Sequence, residues 1–123
     1  MIFQSITEEV LKGWGREIVI VNNNEYCGKI LEFKAGSKFS MHFHAEKRET
    51  FYVIEGSGVM KGINPSNASE FSIQLVPGVV IQIERFSLHQ IFAETDMKVI
   101  EFSTPHKDYD SYRVAKGDSQ KNE

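Results

Sequence analysis

Short stretches rich in β-branched and aromatic residues follow one another through most of this chain, with turn residues between them. After a first run at residues 17–21, they cover residues 27–34, 38–44, 50–55, 58–63, 70–75, 79–83, 89–93 and 98–103. Glycine, proline, serine and asparagine fill the gaps, as expected for tight connections. This spacing is typical of an antiparallel sandwich or a small barrel, so the sequence predicts an all-β fold.

The two ends of the chain differ from this pattern. Residues 5–8 fit a helix-capping box, and Ile6, Val10 and Leu11 follow at helical spacing before Gly13, which predicts a short N-terminal helix. Residues 116–123 are polar and charged, which predicts a loose C-terminal tail. A chain of 123 residues has the size of one domain, so we expect a single domain at 1–115 with its barrel core at about 17–104.

Composition narrows the range of partners. The net charge of −3 gives no electrostatic reason to expect nucleic acid, and apolar runs are too short to span a membrane. Residues 1–10 carry two glutamates and no basic residue, so they do not predict a signal peptide. The single cysteine, Cys27, cannot form an internal disulfide, which favours a reducing cytoplasmic setting.

Three of the four histidines lie in or beside predicted strands. Side-chain alternation along residues 38–44 places His42 and His44 on one face, together with Lys38. Glu49 begins the next strand, and His89 begins a later one that can close over the same point. Two imidazoles and a carboxylate leave open coordination positions, so the set predicts a site for one divalent transition metal per chain: Zn, Fe, Mn or Ni.

Simpler interpretations exist for each of these residues. A single histidine beside aromatic residues is more often packed than a ligand. Cys27 is interpreted as a small buried residue, because no histidine lies near it in the sequence. Lys47 and Arg48 fit a solvated turn.

The same residues carry a family resemblance. Gly36, His42, His44, Glu49 and Gly56 fill every position of the first cupin motif at the expected spacing, so the chain resembles the cupin superfamily. The resemblance spans about residues 27–103 and implies a double-stranded β-helix, a small jelly-roll barrel with the metal inside. It also implies that His42, His44, Glu49 and His89 are the ligands. Many cupins dimerise through an outer sheet, so a homodimer is expected.

The second cupin motif is only partly matched. Gly78 and His89 occupy its glycine and histidine positions, whereas Glu84, Phe86 and Ala93 replace its proline, second glycine and asparagine. The resemblance therefore keeps the metal ligand, and we expect the turn before His89 to differ in shape.

Softer features are similar to the metal-binding domain of type II mannose-6-phosphate isomerases. These features are Trp14-Gly15 and residues 29–31, 49–53, 100–103 and 110–113. The likeness implies a sugar or sugar-phosphate isomerase that interconverts an aldose and a ketose through a metal-stabilised enediolate.

The proton of such a reaction needs a base. Glu101 is the first candidate and Lys38 the second, although each also fits a structural ion pair. Arg48 and Arg85 are candidates to meet a phosphate. Two other functions stay open: an iron dioxygenase, which uses the same ligands, and a non-catalytic module that binds a metal or a sugar.

Overall fold

A computed structural model describes residues 1–120 of the chain. Over this range the chain forms β1 (Glu8–Lys12), β2 (Gly15–Asn22), β3 (Cys27–Phe33), β4 (Met41–Phe43), β5 (Glu49–Glu55), β6 (Gly58–Ile63), β7 (Glu70–Leu75), β8 (Val80–Ile83), β9 (His89–Ala93), β10 (Met97–Ser103) and β11 (Tyr112–Ala115). Two single-turn 3₁₀ helices, Asp108–Asp110 and Asp118–Gln120, flank β11. Neither of these helices, the only ones in the described range, has the length and apolar character needed to cross a membrane.

The strands form two antiparallel sheets. The larger sheet has the order β1-β2-β3-β10-β5-β8, and the smaller has the order β11-β4-β9-β6-β7. The predicted all-β jelly-roll barrel is confirmed. Most predicted runs match a strand within a few residues, because turn chemistry and side-chain alternation both mark them.

The inward-facing residues of three central strands in the larger sheet are apolar towards one end of the barrel and charged towards the other. Alternate residues point inward, and one inward-facing row across β3, β10 and β5 is Leu31, Val99 and Val53, all buried. In the next inward-facing row, towards the other end of the barrel, Lys29 and Glu101 lie directly opposite each other on β3 and β10. One end of the barrel is thus a packed core, and the other presents charged side chains to the interior.

The predicted N-terminal helix is wrong. Residues 8–12 form strand β1, which pairs with β2 from Glu8 opposite Val19 to Lys12 opposite Gly15. An isolated helix of about two turns is marginal in water, whereas residues 8–12 gain backbone hydrogen bonds and side-chain contacts by pairing with β2. Val10 then faces the barrel interior, where it lines a cavity.

Part of the segment predicted as a loose tail is packed. Asp118 exchanges backbone and side-chain hydrogen bonds with the backbone of Lys38, and the Ser119 hydroxyl accepts one from the N–H of Gly13. A side chain at Gly117 would lie 2.3 Å from the Phe39 backbone, so this contact requires glycine. Residues 117–120 therefore close one end of the barrel, and residues 121–123 lie outside the described range.

Candidate metal centre

Three histidines from neighbouring strands of the smaller sheet meet inside the barrel. His42 in β4 is the direct partner of His89 in β9, and their ring centroids lie 4.5 Å apart. His44 follows immediately after β4, 4.8 Å from the ring of His42. One ligand nitrogen from each of the three lies within 4.8 Å of the others, which is close enough for one metal ion. The structure thus brings these three predicted residues together.

Each imidazole is oriented by a backbone carbonyl. The Nδ1–H groups of His42, His44 and His89 donate to the carbonyl oxygens of Ser40 at 2.7 Å, Asp110 at 2.7 Å and Ser87 at 2.9 Å. Because a carbonyl only accepts, the hydrogen must be on Nδ1. The Nε2 lone pair of each neutral ring is left for another partner, which is the usual arrangement of metal-binding histidines.

The environment also favours a neutral ring at His42. Burial and the neighbouring rings of His89 and His44 together lower the pKa of His42 to about 3. At neutral pH the ring is therefore uncharged, which is the state that binds metals.

The carboxylate of Glu49 points into the same space. Its Oε1 lies 2.8 Å from Nε2 of His89 and 3.4 Å from Nε2 of His44. Burial raises the pKa of this carboxyl, but the neighbouring ammonium of Lys47 opposes this effect and the pKa lies well below its usual range, so the group is ionised. Glu49 Oε1 and His89 Nε2 are both fully buried, and neither has a hydrogen-bond partner within residues 1–120.

This contact tests whether the residues fit a cation. Two buried acceptors that face each other at 2.8 Å are unfavourable unless a proton or a cation lies between them. A proton would satisfy only this pair. A cation also meets Nε2 of His42 and His44, and nitrogen and carboxylate donors suit first-row divalent metals. The four predicted ligands therefore fit a metal.

Lys47 is buried, contrary to the sequence interpretation of a solvated turn. It is 3% exposed, and its Nζ lies 3.3 Å from Glu49 Oε2 and 3.1 Å from Glu101 Oε2. Burial lowers the pKa of this ammonium, but Glu101 and Glu49 raise it above its usual value. The neighbouring Arg48 is exposed, as expected, and pairs with Glu84.

His106, which the sequence left without a role, joins the same cluster. The Lys47 ammonium donates to its Nδ1 at 3.1 Å, and its Nε2–H donates to the exposed carboxylate of Asp108 at 3.2 Å. Burial lowers the pKa of His106 to about 4, and the nearby ammonium groups of Lys47 and Lys29 act in the same direction. No sequence spacing linked residue 106 to residue 47, because a long-range fold contact brings them together.

Asp110 organises the loop that carries Lys47. Its carboxylate accepts hydrogen bonds from the backbone N–H groups of Ala45, Glu46 and Lys47 at 2.8–3.2 Å, while its carbonyl orients His44. Burial raises the pKa of Asp110, but these N–H groups hold it below its usual value. The only sequence signal for Asp110 was its place in the soft resemblance at residues 110–113.

The second predicted base, Lys38, is not brought to the site. Its side chain is exposed, and its backbone bridges to Phe92 and bonds with Asp118. The strand ends before it, since β4 covers only Met41–Phe43, and the predicted alternation does not extend to residue 38.

The turn before His89 has a backbone conformation that favours glycine. Phe86, which stands at the glycine position of the second cupin motif, has a φ of +65°. Its N–H donates to the carbonyl of His44 at 2.8 Å, which ties the turn to a ligand strand. A left-handed backbone conformation is strained in a bulky residue, so the hydrogen bond to His44 stabilises a conformation that Phe86 does not favour by itself.

A cavity of about 830 Å³ opens in front of the cluster. Its inner part is lined by His42, His44, Lys47, Glu49, Glu101 and Lys29, and its outer part by β1 and β2. This volume accommodates a small organic ligand next to the metal site.

Solved structures with a similar fold belong to larger proteins. CapF, a capsular polysaccharide assembling protein from Staphylococcus aureus, matches with a TM-score of 0.80 and 20% identity, over 92% of this chain and 33% of CapF. Oxalate decarboxylase from Bacillus subtilis matches with a TM-score of 0.77 and 16% identity, over 88% of this chain and 30% of that enzyme. At these identities the likeness shows the fold. The chain spans about a third of the length of either protein.

A search of curated protein sequences finds no match to this chain. The comparison with protein families does give one, and it covers residues 21–119, from the end of β2 through the second 3₁₀ helix. That range contains the first motif, His89 and the segment around Asp110, so the resemblance noted in the sequence is confirmed at the level of the family. The chain belongs to the cupin family.

Proposed function

We propose that this protein is a metal-dependent sugar or sugar-phosphate isomerase, similar in type to the isomerase cupins. The observation that carries the metal part is the contact between two buried acceptors, Glu49 Oε1 and His89 Nε2, at 2.8 Å. A bound metal would be held by His42, His44, Glu49 and His89, and would supply the positive charge that polarises a carbonyl and stabilises an enediolate.

The charges around the cavity support a cation and an anionic intermediate. Three carboxylates, Glu17, Glu49 and Glu101, face two ammonium groups, Lys29 and Lys47, so one negative charge is left over. A divalent cation converts this excess into one positive charge. When Glu101 takes a proton from a neutral sugar, the total charge of site and substrate stays the same, and the negative charge moves to the enediolate, next to the cation.

Glu101 is the proposed base. Both hydrogen bonds that it accepts within residues 1–120, from Lys47 and Ser103, reach Oε2, so Oε1 is left to meet a substrate. The carboxylate lines the cavity beside the ligands. In the proposed reaction, Oε1 takes the proton from the carbon next to the carbonyl and returns it to the former carbonyl carbon, while the hydroxyl proton of the first carbon passes to the former carbonyl oxygen.

The identity of the metal stays open among Zn, Fe, Mn and Ni. Oxalate decarboxylase from Bacillus subtilis contains Mn(II) centres, which makes manganese a natural first ion for loading. For the substrate, neither Arg48 nor Arg85 is among the residues that line the described cavity, so no phosphate contact is assigned to them.

We further propose a homodimer that forms through the larger sheet. A row of apolar side chains crosses five of its strands on the outer face, each paired with the next: Ile18, Ile30, Ile100, Tyr52 and Val80. Tyr52 is 40% exposed and Val80 is 55% exposed. A sheet face in water normally carries polar residues, so an apolar face of this width suits a second copy of the same surface.

The cytoplasm is the proposed location, because the only cysteine of the chain is free and buried. This setting matches a small-molecule substrate.

An anaerobic isomerase assay tests the proposed reaction. The manganese-loaded protein is incubated in D₂O without oxygen with a panel of aldoses and their phosphates, and deuterium at the exchanging carbon is followed by NMR. We expect exchange with at least one substrate, and Glu101→Gln should lower its rate by about 10²–10⁴-fold. Glu84→Gln, an exposed carboxylate outside the cavity, is the matched control.

The other functions predict different results. Turnover that requires oxygen would indicate a dioxygenase. Sugar binding without exchange, at an affinity that Glu101→Gln leaves unchanged, would indicate a non-catalytic binding module.

A further inference from the structure

The ammonium of Lys47 connects the metal site to the proposed base. It faces three acceptors: Glu49 Oε2 at 3.3 Å, Glu101 Oε2 at 3.1 Å and His106 Nδ1 at 3.1 Å. The contacts with Glu101 and His106 are hydrogen bonds, and the contact with Glu49 is an ion pair. An ammonium held from three sides inside a barrel has a fixed position, and it restrains the groups that it contacts.

The contact with Glu49 divides that carboxylate into two oxygens with different partners. Oε2 lies against Lys47, whereas Oε1 faces the Nε2 atoms of His89 and His44. The pull of the ammonium on Oε2 turns the carboxylate so that Oε1 is the oxygen that faces the histidine nitrogens. The ion pair therefore favours ligation through this one oxygen.

The same ammonium of Lys47 also forms an ion pair with Glu101. Lys47 stands between a ligand carboxylate and the proposed base, so one side chain sets the distance between them. Without this cation, the two negative groups would lie in the barrel interior without a shared counter-charge. Like charges that are buried close together repel, and both groups would move or change protonation.

The loop geometry keeps the ammonium at this point. The N–H of Lys47 donates to Asp110 Oδ2 at 2.9 Å, and the N–H of Ala45 donates to Asp110 Oδ1 at 2.8 Å. Glu49 follows only two residues later at the start of β5. The backbone that places the lysine thus also places the carboxylate.

We propose that Lys47 is a positioning residue of the metal centre: it holds Glu49 in one-oxygen ligation and keeps Glu101 beside the ligands. This inference rests on the metal site of the proposed function and goes beyond it, since Lys47 is neither a ligand nor a base. A buried ion pair that only stabilised the barrel would leave metal affinity and ligand geometry unchanged.

Lys29 offers a matched control within the same cavity. It is equally buried, at 3% exposed, and forms one ion pair, with Glu17 at 3.3 Å. The ion pairs and hydrogen bonds described for residues 1–120 do not connect its ammonium to any of the four ligands. Replacing either lysine by methionine removes a buried charge, but only Lys47→Met releases Glu49.

The test is cobalt binding to the full chain. Wild type, Lys47→Met, Lys47→Gln and Lys29→Met are loaded with Co²⁺, the affinity is measured by competition with a chelator, and the visible spectrum reports the coordination geometry. We expect Lys47→Met to bind Co²⁺ about 10–100-fold more weakly and to show a changed spectrum. Lys47→Gln, which keeps a hydrogen-bond donor, should fall between wild type and Lys47→Met. Lys29→Met should keep the wild-type spectrum and bind Co²⁺ at least as tightly as wild type, because it makes the cavity more negative. If Lys47→Met does not fold, Lys47→Gln alone carries the test.

Three outcomes would overturn the inference. One is a folded Lys47 variant with the wild-type affinity and spectrum. Another is an equal effect of Lys29→Met on both readouts, which would make the role of the lysine purely structural. The third is a wild-type protein that binds no Co²⁺, and this result alone would also remove the metal site on which the proposed function depends.

Discussion

At the scale of single residues, the backbone decides which atom of each histidine is available. Carbonyl oxygens of Ser40, Ser87 and Asp110 take up the Nδ1 hydrogens, so the three Nε2 atoms converge without any proton of their own. Substitution of a ligand therefore removes one donor and leaves the others aimed at the same point.

His106 predicts a pH dependence of stability. Its pKa is lowered from 6.5 to about 4 in the folded protein, so between these values the unfolded chain binds a proton that the folded chain does not. Its contribution to stability is complete above pH 6.5 and is lost as the pH falls towards 4. We expect wild type to lose about 2 kcal/mol more than His106→Gln between pH 7 and pH 5.

Urea unfolding of both proteins, each freed of metal by a chelator, measures this difference. Glutamine keeps an acceptor for the ammonium of Lys47 but does not titrate. The remaining groups titrate in both proteins and cancel in the comparison. An identical pH dependence in wild type and variant would contradict the lowered pKa of His106.

The sequence identified the residues that motif spacing marks and missed those that depend on the fold. His42 and His44 share a strand face, and this relation is local. By contrast, the contact of Lys47 with His106 joins positions 59 residues apart, and nothing in a charged turn indicates that its lysine points inward. The charge pattern of a sequence does not show whether a side chain points inward or towards solvent, because this depends on the conformation of the loop.

At the scale of elements, two glycines of the first motif share a backbone conformation but differ in surroundings. Gly36 and Gly56 both have a φ of +81°. A side chain at Gly36 would meet no atom within 4 Å, whereas one at Gly56 would lie 2.0 Å from the carbonyl oxygen of Asp96. Both turns need the left-handed conformation, and only the second also needs the absence of a side chain.

Alanine substitution separates these two requirements. Gly36→Ala should lower the free energy of unfolding by about 1–2 kcal/mol through backbone strain alone. Gly56→Ala should lower the free energy of unfolding by at least about 1–3 kcal/mol more than Gly36→Ala does, because the β5–β6 turn must move away from Asp96. Urea unfolding at one pH compares them directly, and equal losses in the two variants would show that the close contact at Gly56 is not important.

Strand prediction succeeded where turns frame a β-rich run and failed at the N-terminus. Residues 5–13 contain a capping signal and helical spacing, and nothing in the local sequence indicates a strand. The neighbouring strand β2 decides, because its free edge offers backbone partners to residues 8–12. The same reasoning applies to residues 117–120, whose partners at Gly13 and Lys38 are distant in sequence.

At the scale of the whole molecule, the proposed dimer predicts that one substitution can halve the mass of the particle in solution. Ile100 lies at the centre of the apolar row, between Ile30 and Tyr52. Ile100→Glu should convert a dimer into a monomer, because a buried unpaired carboxylate at an interface is costly. Ser72→Glu, on an exposed position of the smaller sheet, should leave the dimer intact.

Light scattering after size exclusion measures both masses. A wild-type protein that runs as a monomer at tens of micromolar would contradict the proposed dimer. A dimer that persists in Ile100→Glu but dissociates in Ser72→Glu would place the interface on the other sheet.

The division of the barrel into a packed end and a charged end links the fold to the proposed chemistry. Leu31, Val53 and Val99 pack one half, which leaves the other half free to hold charges that do not stabilise the fold by themselves.

Metal stoichiometry tests the central claim most directly. Wild type, His42→Ala and His106→Ala are loaded with Mn²⁺ or Zn²⁺, dialysed and analysed for metal per chain, with His106 as a histidine of the same cavity outside the ligand set. We predict about one ion per chain in wild type and His106→Ala, and much less in His42→Ala, because one of four donors is lost. A wild-type protein that neither carries nor takes up a divalent metal, or a His42→Ala protein that binds it equally well, would contradict the account.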